Sequence, residues 1–355
     1  MEHKIGFGII GLGSVSKTHA FALSKAQKCY LAGAYSNNKE KVEAFCEQYG
    51  GKPYTDLQAF LEDQSIQVVD IATPSGLHEE VALKALKAKK HVLVEKPLEI
   101  TPERCEAILE EAKSQNRLVG GIFQSRFYDA AQLIKKALDE GRFGKLTMIE
   151  ASVKWFRSQE YYDSGAWRGT WDLDGGGALM NQSIHAIDLL SWFGGDVSEI
   201  SAFTQTVAHK RIEVEDNGVA ILKFKNGALG VIEGSTSIYP GFTKRIEICG
   251  TQGSAILEDE TLVAWSFKEE RPSDLEIRKK YSNANTTEGG AANPSAINYV
   301  GHLRQFDDFA NAVMTGTEPF ITGKEAAKAV AIITGIYESA KEGKIVTLSE
   351  KGEKI

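Results

Sequence analysis

The sequence predicts an α/β protein of two domains: an N-terminal doubly wound parallel sheet, then an α+β domain with a large, mostly antiparallel open sheet. Three observations lead there. A chain of 355 residues exceeds what one hydrophobic core usually serves. Its first third alternates short β-rich runs with helical patterns, and short connections join such runs as parallel crossovers. Beyond residue 125 the strand-like runs lengthen, and Asn226-Gly227 supplies a hairpin turn because both residues tolerate positive φ. The domains are therefore expected at 1–125 and 126–355, with the closing helices able to pack back on the first.

In the first domain, residues 5–10, 31–35, 68–72, 91–94 and 118–123 are expected as strands, being short apolar runs. Residues 16–25, 39–49, 78–88 and 102–114 carry helical spacing. Thr101-Pro102 marks the start of the last helix, an N-cap threonine before a proline at the first helical position. In the second domain a helix at 129–139 precedes strands at 146–156, 200–207, 218–224, 228–237 and 244–249. Residues 178–193 form another helical pattern. The stretch 268–298, rich in Asn, Ser, Thr and Gly, is expected as a loop with scope for mobility, and helices at 302–315 and 323–342 close the chain.

Composition excludes several function classes. Hydrophobic content of 42% and charged content of 25% are ordinary for a soluble globular protein, and a net charge of −7 gives no footprint for nucleic acid or an anionic membrane. No apolar stretch approaches the ~20 residues that span a bilayer. Met1-Glu2-His3-Lys4 runs straight into the first strand pattern, so no signal peptide is expected. Cys29, Cys46, Cys105 and Cys249 are scattered without metal-type spacing, which points to reduced thiols in a cytoplasmic protein and to no structural metal.

Lys96 carries the first chemical signal, at the end of the buried run 91–94 in Glu95-Lys96-Pro97. In an open α/β sheet, ligands bind beyond the carboxyl ends of the strands, so Lys96 is delivered to that crevice. A buried lysine's pKa falls toward neutrality, where its amine exchanges protons; the alternative is a solvated lysine at a strand end. Gly11-Leu12-Gly13-Ser14-Val15-Ser16 follows the first strand and opens a helix. Its glycines let backbone approach a pyrophosphate on the helix N-terminus, and Ser16 stands for the third glycine, so this strand–loop–helix reads as a Rossmann dinucleotide site. The ribose end is less decisive: Ser36 and Asn37 occupy the place of the usual acid, with Asn38 and Lys39 following. Nothing there repels a 2′-phosphate, and Lys39 and Lys41 tilt the choice between NAD and NADP slightly toward NADP, although a solvated helix face explains them equally. Thr73 and Pro74 bracket the cofactor at the same edge; His78 either contacts the ribose or packs its helix.

The second signal is the helix after Asp174-Gly175-Gly176-Gly177, where Asn181, His185 and Asp188 fall at i, i+4 and i+7 in an otherwise apolar segment. Burying three polar groups is costly unless each is paired, so the stripe either lines a polar cleft or is a core His185 satisfied by Asp188. Trp155-Phe156-Arg157, Tyr161-Tyr162 and Trp167-Arg168 interleave aromatic rings with arginine. That mixture suits sugar faces, hydroxyls or an anionic substituent, and tryptophans covering the sheet is the competing explanation. Gln124 and Arg126, just after the last strand of the first domain, face the same cleft by topology.

These motifs together resemble the Gfo/Idh/MocA oxidoreductases, the family of glucose–fructose oxidoreductase and inositol dehydrogenase. The likeness covers Gly11-x-Gly13 with His19 downstream, Ala72-Thr73-Pro74 with His78, Glu95-Lys96-Pro97, the run Gly175 to His185, and Gly316 to Pro319. It implies a Rossmann domain, a C-terminal domain whose open sheet often forms a homodimer or homotetramer interface, and oxidation of a carbinol on a sugar, sugar derivative or cyclitol. It also implies that Lys96 and His185 handle the proton. Many members carry aspartate where this chain has Asn181, which cannot ionise, so a lysine–carboxylate–histidine relay is in doubt; relatives acting on sugar nucleotides or sugar acids also use asparagine here. The expected cofactor contacts are Gly11, Gly13, Ser14, Val15, Ser36, Asn37, Thr73, Pro74, His78, Glu95, Lys96 and Gln124. The expected substrate contacts are Lys96, Arg126, Tyr162, Trp167, Arg168, Asn181 and His185, with Lys96, His185 and Asn181 catalytic. The rivals are a glycosidase that oxidises its sugar transiently and, last, a non-enzymatic ligand sensor.

Overall fold

The computed structural model describes residues 4–282 and 298–348. It opens with β1 (Ile5–Ile10), α1 (Ser14–Lys25), β2 (Cys29–Tyr35), α2 (Lys39–Tyr49), β3 (Lys52–Tyr54) and α3 (Leu57–Glu62). Next come β4 (Val68–Ile71), α4 (His78–Lys87), β5 (His91–Val94), α5 (Pro102–Gln115), β6 (Val119–Gly121) and α6 (Asp129–Asp139). These are followed by β7 (Leu146–Lys154), α7 (Gln159–Asp163), a π-helical segment (Ala178–Ser183), α8 (Ile184–Gly194), β8 (Val197–Gln205) and β9 (Asn217–Phe224). The remainder is β10 (Leu229–Ser235), β11 (Arg245–Gly250), β12 (Gly253–Glu258), β13 (Thr261–Phe267), α9 (Pro272–Tyr281), α10 (Val300–Thr315), α11 (Gly323–Glu342) and β14 (Val346–Thr347).

The described chain divides into two units, residues 4–124 with 298–327, and residues 125–282 with 328–348. The segment carrying α10, expected within 126–355 as a closing helix able to pack back on the first domain, belongs with the first unit. The reason is apolar burial, for Phe306, Phe309 and Ala310 of α10 sit in one core with Phe7 and Ile9 of β1.

In the first unit six parallel strands run in the order β3-β2-β1-β4-β5-β6, so the strand order reverses between β1 and β4. That reversal is where a doubly wound sheet opens a crevice. The short β3 and α3 escaped sequence reading. Asp56 caps α3 by accepting from the Ala59 amide at 2.8 Å, as Thr101 caps α5 from Arg104 at 3.3 Å. In the second unit the eight-stranded sheet has the order β13-β12-β11-β7-β10-β9-β8-β14, antiparallel except for the β7–β10 pair.

Three expectations need correction in the second unit. β12 and β13 form a hairpin that was not foreseen, because its turn uses Asp259 at a φ of 48° where glycine would be the visible signal. The expected loop 268–298 contains α9, started by Pro272 and held by Asp274, whose carboxylate accepts from the Arg271 amide at 2.7 Å and pairs with Arg142 at 2.7 Å. The rest of that expected loop, residues 283–297, lies outside the described residues, as do Met1, Glu2 and His3 of the expected leaderless start. Finally, the helix expected at 178–193 is π-helical over its first turn.

Candidate active site

Strand register gathers the first unit's chemistry at one sheet edge. Ile10 lies opposite Tyr35 and Ile71, Ile71 opposite Val94, and Val94 opposite Gly121. The loops that follow, carrying Gly11, Thr73, Lys96 and Gln124, therefore leave the sheet side by side. Gly11 has a φ of 98°, and a Cβ there would meet the Ala72 carbonyl at 2.4 Å, so only glycine fits. At Gly13 a Cβ would meet nothing within 4 Å, because the loop faces open space. α1 begins there with neither a side-chain cap nor an acidic residue in its first turn. Its first amides thus remain available to an anion. Ser16 is fully buried and donates to the Gly13 carbonyl at 2.7 Å, which fixes the loop.

The remaining expected cofactor residues separate into two groups. Thr73 Oγ1 and Gln124 Oε1 are buried without a hydrogen-bond partner, orphaned polar atoms at the same sheet edge as the glycine loop. Both fit a bound dinucleotide. Gln124 is positioned from α10, where Gln305 donates to the Gly121 carbonyl at 2.7 Å and accepts from the Phe123 amide at 3.2 Å. Ser36 is half-buried and Asn37 exposed, while Asn38 caps α2 through the Lys41 amide at 2.8 Å. His78 and Glu95, by contrast, do not present free groups. His78 is 1% exposed, with Nδ1 at 2.9 Å from the Pro97 carbonyl and Nε2 at 3.0 Å from the Thr73 carbonyl, and burial lowers its pKa. It is a strut between two loops rather than a ribose contact. Glu95 accepts from the Lys96 amide at 2.9 Å through Oε2 and lies 3.2 Å from His19 through Oε1, so its carboxylate serves the protein. Lys96 itself is half-buried.

Asp70 and His302 complete that buried cluster and went unnoticed in the sequence. Asp70, within the apolar strand β4, is fully buried, and its Oδ2 lies 2.9 Å from His19 Nδ1. A carboxylate in an otherwise apolar central strand was the available signal, since such a group must be paired. His19, Glu95 and His302 also place metal-ligand-type atoms within 4.8 Å of one another, a cluster that the cysteine spacings gave no reason to expect.

In the second unit the segment bearing Asn181 and His185 is held by Glu215. Its carboxylate accepts from the Leu179 amide at 2.8 Å, the Gly177 amide at 3.1 Å and the Tyr337 hydroxyl at 3.1 Å. Burial pushes Glu215 up to about 7 against those hydrogen bonds. A Cβ on Gly177 would lie 1.9 Å from the Glu215 carbonyl, so the glycine run exists for this close approach. Asn181 donates through Nδ2 to Asp174 and accepts through Oδ1 from Gln182 at 2.7 Å. His185 is half-buried.

The expected stripe of Asn181, His185 and Asp188 does not serve one function. Arg126 grips Asp188 through Nε at 2.8 Å and Nη2 at 2.7 Å, and its guanidinium lies 5.3 Å from the Trp192 ring. Arg126 is 2% exposed and Asp188 1%, so this is a buried ion pair that locks α8, not a substrate ligand. Tyr162 is corrected likewise: it is buried, shares a 2.8 Å hydrogen bond with Thr236 and packs on His209. Trp167 and Arg168 remain half-buried. Arg168 lies between the rings of Tyr161 (4.4 Å) and Trp167 (4.5 Å) and donates to the Tyr161 hydroxyl at 2.7 Å. Among the described residues it has no carboxylate partner. Beside it Arg157, 3% exposed, donates to Gln182 Oε1 at 2.9 and 3.1 Å, and Trp155 Nε1 is buried without a partner.

A doubly wound parallel sheet with a glycine-cradled, uncapped helix start at the edge where the strand order reverses is a dinucleotide-binding arrangement. Comparison with known proteins sharpens this. Residues 5–122 match the model of an oxidoreductase family with an NAD-binding Rossmann fold, and residues 131–256 match the GFO/IDH/MocA C-terminal domain. The myo-inositol 2-dehydrogenase of Thermotoga maritima is 25% identical over 350 residues, covering 97% of this chain and 98% of its own. The levoglucosan dehydrogenase of Pseudarthrobacter phenanthrenivorans is 26% identical over 378 residues, covering 95% and 96%. The structure of the WlbA dehydrogenase from Bordetella pertussis, in complex with NADH and UDP-GlcNAcA, superposes with a TM-score of 0.88 at 34% identity, covering 98% of this chain and 99% of that one. The chain belongs to the Gfo/Idh/MocA oxidoreductase family.

Proposed function

We propose that this protein is an NAD-dependent dehydrogenase that oxidises a carbinol of a carbohydrate, and that Lys96 and His185 handle the hydroxyl proton. The observation that carries the reading is the sheet edge of the first unit, where Lys96 leaves the sheet at the same edge as an uncapped, glycine-opened helix start, two strands away. Gly11, Gly13, Ser14 and Val15 would take the pyrophosphate, Ser36 and Asn37 the ribose, and Thr73, Pro74 and Gln124 the nicotinamide side. The bound cofactor supplies a hydride acceptor. The protein's task is then to remove one proton from the substrate oxygen, and an amine or an imidazole suits it near neutral pH. Asn181, already bonded to Asp174 and Gln182, orients the hydroxyl rather than ionising.

NAD is favoured over NADP. Position 36 carries no arginine, Asn38 is engaged as a helix cap, and Lys39 lies 3.8 Å from Glu43, which competes with any phosphate. The WlbA and levoglucosan dehydrogenases were both solved with NADH. Among carbohydrates, an acidic sugar nucleotide is favoured over a neutral cyclitol. The relative that binds UDP-GlcNAcA is 34% identical, against 25% and 26% for the inositol and levoglucosan enzymes. Arg168, stacked between two rings without a carboxylate of its own, matches an anionic substituent. Nicotinamide absorbance assays with NAD and NADP across UDP-linked uronic sugars, free uronic acids and cyclitols test the proposal; turnover without net nicotinamide change would point to hydrolysis instead. Arg168→Gln should raise KM for an acidic substrate about tenfold with little change for a neutral analogue, since a charge-assisted hydrogen bond contributes about 1.5–3 kcal/mol. An equal effect on both would remove Arg168 from substrate recognition.

We also infer a homo-oligomer built on the open sheet. Phe203, Val219, Ile221, Leu229 and Met148 are exposed on the strands of the second unit, where an outward face is normally polar. Phe203 lies opposite Val219 and Leu229 opposite Met148, which makes the face continuous across β8, β9, β10 and β7. Ile221→Glu should shift sedimentation toward the monomer, and an unchanged profile would sink this face as the interface. No helix among the described residues is long and apolar enough to cross a membrane. The four free cysteines favour a cytoplasmic location.

A further inference from the structure

We propose that His19 and Asp70 act on the reaction from a distance, as positioning residues that brace the Lys96 backbone through Glu95. The inference rests on the reading of Lys96 as the proton-handling amine. The chain of contacts is continuous. Asp70 Oδ2 lies 2.9 Å from His19 Nδ1, His19 Nε2 lies 3.2 Å from Glu95 Oε1, and Glu95 Oε2 accepts from the Lys96 amide at 2.9 Å. A neutral imidazole carries one N–H and can donate to only one of the two carboxylates. The cation donates to both, so His19 is an imidazolium held between them.

The electrostatics agree with that state. Burial alone would lower the His19 pKa, but the charges and hydrogen bonds of Asp70 and Glu95 outweigh it and hold it at about 10. Burial would raise Glu95, yet His19 draws it down to about 2. Burial raises Asp70 from its ordinary value, against the pull of the His19 charge. His302, from α10, is pushed down to about 3 by burial and by the charge of His19, so the ring 5.2 Å away is neutral and walls the cation without competing for it. Phe306 closes another side at 5.4 Å, edge-on.

The geometry gives the brace a purpose that packing alone does not. A buried ion triad is usually no more stable than apolar residues of the same volume, so its presence calls for another role. Glu95 fixes the peptide before Lys96, and His78 fixes the Pro97 carbonyl after it at 2.9 Å. Lys96 is thereby gripped on both sides by groups with no side-chain freedom left. His19 also sits on α1, five residues beyond the open helix start proposed for the pyrophosphate, so the brace reaches the amine without touching that start. Misplacing a reacting group by about 1 Å costs on the order of 100-fold in rate.

His19→Gln, which keeps one donor and loses the cation, tests the brace in the full-length protein with NAD. We expect kcat to fall about 100-fold with KM for NAD nearly unchanged, and the pH profile of kcat to shift. In a Lys96→Met background the same substitution should cost nothing further, because both act through one group. Hydrogen exchange at the Lys96 amide should accelerate in His19→Gln. Equal losses in both backgrounds, or an unaltered Lys96 amide, overturn the brace. A fully active Lys96→Met overturns the catalytic reading, while amide exchange still decides the brace. Should His19→Gln not fold, Asp70→Asn carries the same measurements. One equivalent of zinc or nickel in the purified protein would also overturn the proposal, since His19, Glu95 and His302 would then hold a metal where the triad holds a proton.

Discussion

Lys96→Met is expected to lower kcat/KM by about 10²–10⁴, the range for losing a positioned acid–base group, with a much smaller loss in NADH affinity. The substitution is a clean one. Glu95 grips the backbone amide at residue 96, so the loop keeps that anchor when the ammonium is lost. The thioether has nearly the length of the lysine stem and no proton to exchange. Lys96→Arg should not rescue, because a guanidinium keeps its charge at every accessible pH and cannot act as a base. Single-turnover hydride transfer and a fluorescence titration of NADH separate chemistry from binding. A variant that reduces NAD at the wild-type rate would remove Lys96 from the reaction.

The second large effect is on stability. Arg126→Met is expected to lower the unfolding free energy by about 3–5 kcal/mol, because it takes the guanidinium away from a carboxylate that is 1% exposed. Pairing it with Asp188→Leu should restore most of the loss, since removing both charges abolishes the desolvation cost along with the attraction. Denaturant unfolding of the three variants measures this, and KM for substrate should not move in any variant that folds. A raised KM with unaltered stability would return Arg126 to the substrate site, where the sequence had placed it.

The contrast between those two residues shows what a sequence discloses. Lys96 was legible because it ends an apolar strand, and a parallel strand's carboxyl end is a ligand edge whatever the rest of the molecule does. The glycine loop was legible for the same reason: a Cβ at Gly11 would lie 2.4 Å from the Ala72 carbonyl, a local constraint of a strand–turn–helix. Arg126 was misread because proximity to a strand end does not say where a long side chain turns. Its partner lies 62 residues away, and only the packing of α8 brings the carboxylate within 2.8 Å. Tyr162 failed similarly, its hydroxyl being taken by Thr236, 74 residues on. His78 and Glu95 were placed correctly along the chain, but their ring nitrogens and carboxylate oxygens were already committed to carbonyls, an amide and an imidazole.

Alone, the sequence determined the two-part α/β architecture and the strand–glycine–helix start of the first unit, because each follows from periodicity or from a turn written in consecutive residues. It could not determine that Asn181 rides on a π-helical turn anchored by Glu215, or that α10 joins the first unit's core. Nor could it pair the buried charges Asp70, His19 and Glu95. Those were decided by the tertiary structure. Burial sets the cost of every polar group, and which distant residue meets that cost is a matter of three-dimensional neighbours rather than of spacing along the chain.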